Sequence, residues 1–135
     1  MLDFITQLRN YAEELGLAYP IKIGALAAEE SLSLYALPGG KTVKRFMDGT
    51  EDKQLNLEFA IKASSQTQKE AISALDKIAQ ALPDAEIISA NGSYDFRKIE
   101  IASEPFIVDM DEKFIYYRLG ITAELTIYKR GDQIG

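Results

Sequence analysis

Four carboxylates crowd one short stretch of the chain: Glu104, Asp109, Asp111 and Glu112. Oxygen ligands at that density suit a hard cation such as calcium or magnesium. Converging on one pocket, with or without Mg²⁺, the same groups could serve a carboxylate enzyme as acid and base. The calcium-loop pattern, however, needs further acidic positions and a central glycine, which this stretch lacks. Its plainer reading is a solvated acidic turn between strands. Gly39-Gly40-Lys41-Thr42 ends like a phosphate-binding loop. The full pattern needs glycine five positions before Gly40, where this chain has Tyr35, and a helix after the loop to present its amides. Here a strand is expected to follow, and Pro38-Gly39-Gly40 reads as a hairpin turn. Asn91-Gly92-Ser93 matches the glycosylation triplet but reads as a tight turn.

What is missing narrows the chemistry further. The 135 residues include no histidine and no cysteine. Disulfides, iron–sulfur clusters and thiolate zinc sites are excluded, along with the commonest general base and the usual triads. Any catalysis would rest on carboxylates, lysine, tyrosine or hydroxyls, and no complete catalytic motif is present; no cofactor or metal is expected. The net charge is −6, with the Lys and Arg residues scattered, so no basic footprint for nucleic acid is visible. The opening Met1-Leu2-Asp3-Phe4 has neither the basic nor the apolar region of a secretory signal, and no apolar run has the length of a membrane helix. Synthesis in a cytoplasm and no membrane partner are therefore expected.

The elements that must position these residues follow from periodicity. Phe4, Leu8, Tyr11 and Leu15 mark one face of a helix over residues 3–15, capped by Asp3 and closed by Gly16. Leu32, Leu34 and Ala36 alternate with polar neighbours, Thr42 to Phe46 is the expected hairpin partner, and Asp48-Gly49 turns again. Leu55, Leu57, Phe59, Ile61 and Ala63 form a strand with one buried face. Ser65-Gln66-Thr67-Gln68 fits a capping box, and Ala71, Ile72, Leu75, Ile78, Ala79 and Leu82 form the apolar stripe of a helix over 66–82 that Pro83 stops. Ile87-Ile88, then Tyr94 to Ile101 with a break at Pro105, read as strand. The segment 116–129 is the longest strand: Tyr117, Leu119, Ile121, Ala123, Leu125 and Ile127 fall on every second residue.

These elements predict an α+β fold: one mainly antiparallel sheet with two helices packed on one face. The whole chain, 1–135, is expected to be a single domain with 130–135 a frayed tail. Tyr94, Phe96, Tyr116, Tyr117 and Tyr128 are read as core or protein-interface aromatics rather than an RNA platform, given the acidic balance. Arg118 and Glu124 fall on the wet face of the last strand, where cross-strand charge pairing is expected and contact with a neighbouring subunit is the alternative.

Several stretches also carry a family resemblance. They are the short helix Asp3 to Leu15, the turn Met47-Asp48-Gly49, and the strand from Gln54 to Lys62 running into the helix with Ala74-Leu75 and Ile78. After these come Ser93-Tyr94-Asp95-Phe96, Pro105-Phe106 and the closing Tyr116-Tyr117-Arg118-Leu119. In these the chain resembles the small minor capsid, or tail-completion, proteins of tailed bacteriophages of Gram-positive hosts. The resemblance implies a structural virion protein at the neck or tail end, made in the host cytoplasm. It implies a tail terminator that forms a ring, typically hexameric, capping the tail tube and meeting the head connector, with no catalysis. Interface residues expected on this reading are Gly39, Gly40, Asp48, Glu51, Asp109, Asp111, Glu112 and Arg118, with the Pro38-Gly40 turn, the 47–53 and 103–113 loops and the 130–135 tail as contact elements. The alternative is a small soluble cytosolic ligand-binding or protein-interaction domain.

Overall fold

A computed structural model describes residues 3–26 and 29–128. Five strands form one sheet: β1 (Ile21–Ile23), β2 (Ser31–Arg45), β3 (Glu51–Ala63), β4 (Tyr94–Met110) and β5 (Ile115–Ile127). Their order is β1-β2-β3-β5-β4. β1 runs parallel to β2, and every other pairing is antiparallel. Two helices, α1 (Phe4–Glu13) and α2 (Gln68–Ala81), complete the expected α+β fold.

The alternating residues explain why this sheet has one dry face. Leu34 on β2 pairs with Phe59 on β3, and Phe59 pairs with Leu119 on β5. One register step away, Leu57 pairs with Ile121. All five are buried, and Phe4, Leu8 and Ala12 of α1 and Ala71, Ala74, Leu75 and Ile78 of α2 join the same core. Burial of that apolar area is the main stabilising term. On the opposite face, Tyr35 donates to Glu58 at 2.5 Å and Arg118 lies 3.4 Å from the same carboxylate. The expected cross-strand pairing of Arg118 is thus present, with Glu58 as its partner.

Several boundaries differ from those read in the sequence. Pro38-Gly39-Gly40 is a bulge, not a turn. Leu37 pairs with Asn56 and Lys41 with Gln54, so Pro38, Gly39 and Gly40 lie opposite Leu55 alone. Gly39 takes a φ of +99°, and a Cβ on Gly40 would meet the Gln54 carbonyl oxygen at 2.9 Å. Because β3 is long enough to pair with both halves, the two predicted strands are one, and the hairpin turn is the one at Asp48-Gly49. Pro105 likewise does not end β4. It sits between Ser103 and Phe106, where the register against β5 shifts. An edge strand tolerates the missing donor of proline. Ile87-Ile88 forms no strand; Ile87 is buried and Ile88 exposed in an irregular segment. The short strand β1 was not anticipated.

The caps differ too. Asp3 precedes α1 but makes no side-chain cap bond. Its carboxylate instead accepts from the Ser89 hydroxyl (2.7 Å), the Ala90 amide (2.7 Å), the Asn91 amide (3.2 Å) and the Ser93 hydroxyl (3.1 Å). The capping box does not form: α2 starts two residues later than read, after Thr67, which makes no side-chain cap bond. The Thr67 hydroxyl donates to Glu30 at 2.6 Å. Pro83 does end the α-helical geometry, within a 3-10 turn over Leu82–Asp84. Lys129 and the 130–135 tail lie outside the described residues.

Candidate functional site

The eight singled-out residues occupy three places on the sheet rather than one pocket. Gly39 and Gly40 form the β2 bulge at mid-sheet. Asp48 and Glu51 lie at one end of the sheet, on and beside the β2–β3 turn. Asp109, Asp111 and Glu112 lie at the opposite end, where β4 turns into β5. Arg118 sits on β5 between them, bound to Glu58.

At the first end, the Phe46 amide donates to the Thr50 carbonyl at 2.8 Å and the Gly49 amide to the Phe46 carbonyl at 3.0 Å. The Thr50 amide also donates to Asp48 at 2.9 Å, which holds that carboxyl below its ordinary range. Glu51 meets Arg45 at 2.6 Å and Lys53 at 3.7 Å, and the Arg45 hydrogen bond lowers its pKa. These side chains line an open cleft of ≈460 Å³ with Gly49 and Ile127. The Lys44 ammonium lies 5.1 Å from the centre of the Phe46 ring.

At the second end, the sequence suggested an acidic loop over 103–113. Most of it is strand, because β4 runs to Met110. The Asp111 carboxylate accepts from the Lys113 amide (2.8 Å), the Phe114 amide (2.7 Å) and the Tyr116 hydroxyl (3.2 Å). The two backbone donors, Phe114 first, hold its pKa down. Asp111 is therefore the residue that closes this turn. Asp109 accepts from the Met110 amide at 2.8 Å. Among the described residues no three carboxylates are grouped so as to hold a metal ion. An apolar cavity of ≈230 Å³ lies beside Phe4, Leu37, Leu55 and Leu57, below the ~300–1,000 Å³ usual for ligand pockets.

Both ends also carry something the sequence reading missed: exposed large apolar side chains. Val43, Phe46 and Met47 are exposed at the first, and Phe106, Ile107, Val108 and Met110 at the second. A signal was present in the run Phe106-Ile107-Val108, which lacks the alternation of a one-face-buried strand. Tyr94 and Tyr117 are core residues, as expected of the aromatic set.

The arrangement is a sheet with exposed apolar side chains at two ends, and comparison with known proteins gives the chain a family. The family described as "Bacteriophage tail terminator protein" matches residues 12–127. The chain belongs to this family. A tail terminator is a structural virion protein, so the role of this chain is tail completion, at the tail end of the virion. One solved structure aligns over 94% of this chain and 93% of its own length, with 13% identity and a TM-score of 0.55. At that identity the likeness shows the fold alone. No curated protein matches the chain. No helix among the described residues of this tail terminator is long and apolar enough to cross a membrane.

Proposed function

We propose that this tail terminator assembles into a ring that caps the tail tube and joins it to the head connector, working by contact and without catalysis. The observation that carries the reading is the pair of exposed apolar strand ends at opposite corners of one sheet. A soluble monomer has no use for them, whereas a subunit that binds its neighbours does. Different patches at opposite corners suit a head-to-tail contact, which closes into a ring when the subunit rotation allows it. The ring number, six, comes from the resemblance alone.

The net charge of −6 supports the same reading. A ring on the path of DNA should not grip the duplex, and an acidic wall repels phosphate. Among the expected interface residues, Gly39, Gly40 and Asp111 are assigned to shaping strands and turn, and Arg118 to the Glu58 pair. Asp48, Glu51, Asp109 and Glu112 are assigned to contacts with neighbouring subunits in the virion. The test is removal of the gene product during phage growth. Electron microscopy should then show filled heads and tails accumulating unjoined. Normal infectious particles without the protein would end the joining role.

A further inference from the structure

One edge of the sheet is covered in part by β1, and the other edge is β4. Among the described residues β1 pairs with β2 at residues 32–34 only, and the outer side of β2 has no partner strand from there to Arg45. Among the described residues the outer side of β4 has no partner strand either. Every residue over 41–45 and over 106–110 is exposed. Both stretches follow a proline, Pro38 and Pro105, and a shift of register, and each contains one further shift, between Thr42 and Lys44 and between Ile107 and Asp109.

The two bare edges are opposite in charge. The β2 stretch carries Lys41, Lys44 and Arg45, with Arg45 already paired to Glu51. The β4 stretch and its turn carry Asp109, Asp111 and Glu112 against the single Lys113. Apolar groups accompany both, Val43 and Phe46 on one and Ile107, Val108 and Met110 on the other. Two β4 edges would set acid against acid, and two β2 edges base against base. Only the mixed pairing brings opposite charges together.

Strand direction agrees. β2 is antiparallel to β3, β3 to β5 and β5 to β4, so β2 and β4 run in opposite senses. A copy set beside another in the same orientation places β4 antiparallel to its neighbour's β2, the arrangement with straight inter-strand hydrogen bonds. The bare stretches lie at opposite ends of the sheet. Matching them therefore staggers successive copies, and the stagger inclines the strands to the ring axis as shear does in a closed barrel.

We propose that the subunits of the ring join by sheet continuation, residues 106–110 of one copy adding antiparallel to residues 41–45 of the next. The partner of each bare edge is thus a second copy of this chain. This rests on the ring reading above, and the test separates the two.

The chain has no native cysteine, so a placed pair reports one contact. Val43→Cys and Val108→Cys both fall on exposed positions and leave the core intact. The double variant replaces the wild type during phage growth, tails are isolated, and a short flexible bismaleimide is added. A covalent ladder ending at the ring number is expected. With the two single variants mixed, only the mixed dimer should form. Lys41→Glu with Lys44→Glu should abolish the ladder, and adding Asp109→Lys with Glu112→Lys should restore it. Tails carrying a full complement of the protein but no ladder would overturn the edge assignment and leave the ring standing. A single copy per tail by quantitative mass spectrometry would overturn both. Dimers of Val43→Cys alone or Val108→Cys alone would show a two-fold contact and overturn the head-to-tail pairing.

Discussion

Replacing Asp3 with alanine should cost about 3 kcal/mol. The carboxylate gathers four donors from residues 89–93 and ties the start of α1 to the loop that feeds β4. Two of these donors, the Ala90 and Asn91 amides, belong to exposed residues and regain water when freed, so each is worth ~0.5 kcal/mol. The Ser89 and Ser93 hydroxyls are better shielded, Ser93 being 4% exposed, and count for ~1 kcal/mol each. For a chain of this length the sum corresponds to a fall in Tm of about 10 °C. Urea unfolding followed by circular dichroism measures it, and Asp3→Asn, which keeps one acceptor oxygen, should lose about half as much. The pH dependence gives a second reading. Partial burial raises the Asp3 pKa, but the four hydrogen bonds together outweigh it and bring the carboxyl below 3.8. A lowered folded pKa means stability present above 3.8 and lost as pH falls through the folded value. The gap between wild type and Asp3→Asn should therefore narrow below about pH 4. A loss under ~0.5 kcal/mol for Asp3→Ala, or a gap unchanged between pH 7 and pH 2.5, would refute the account.

Leu75, fully buried on α2, should cost roughly 2–5 kcal/mol when cut to alanine, read from denaturant midpoints; a loss under ~0.5 kcal/mol would show that the helix stripe is not core. Burial, and then the hydrogen bond to Glu58, push the Tyr35 phenol up to about 12. A raised folded pKa means stability present below pH 10 and lost as pH rises from 10 through 12, so Tyr35→Phe should flatten the alkaline fall in midpoint between pH 9 and pH 12.

How much of this was legible in the sequence depended on whether a residue's role was local. β5, β3 and α2 were readable because each buries one face, and that face repeats at the period of its own backbone. The Pro38-Gly40 bulge and Pro105 were read as a turn and a break for a shared reason. Proline and glycine mark a local departure, but whether the chain reverses there depends on the length of the partner strand. β3 is long enough to pair with both halves of β2, and β5 spans both halves of β4. The three residues of β1 are too few to show a period. Asp3 looked like a helix cap because its true partners lie almost ninety positions away. Of the proposed contact residues, the charges were visible by type. Their division between two opposite corners was not, since it follows from strand order alone.

The same devices that blur the sequence reading fit the assembly proposed for the ring. A long bare edge with apolar side chains invites uncontrolled pairing. Here each edge is interrupted by a proline and by shifts of register, the last of them within 41–45 and within 106–110, so any ladder on it must be short. Each of these stretches carries charge of one sign, which disfavours pairing with its own kind. What remains favourable is one contact, between unlike edges, over about five residues a side. So short a ladder is weak for two free subunits, since docking must first offset lost translational and rotational freedom. Copies held side by side on the end of a tail tube have already lost that freedom, and the same contact then acts at high effective concentration. On this argument the ring closes where its template is, and the free protein stays unassembled despite the apolar side chains it exposes.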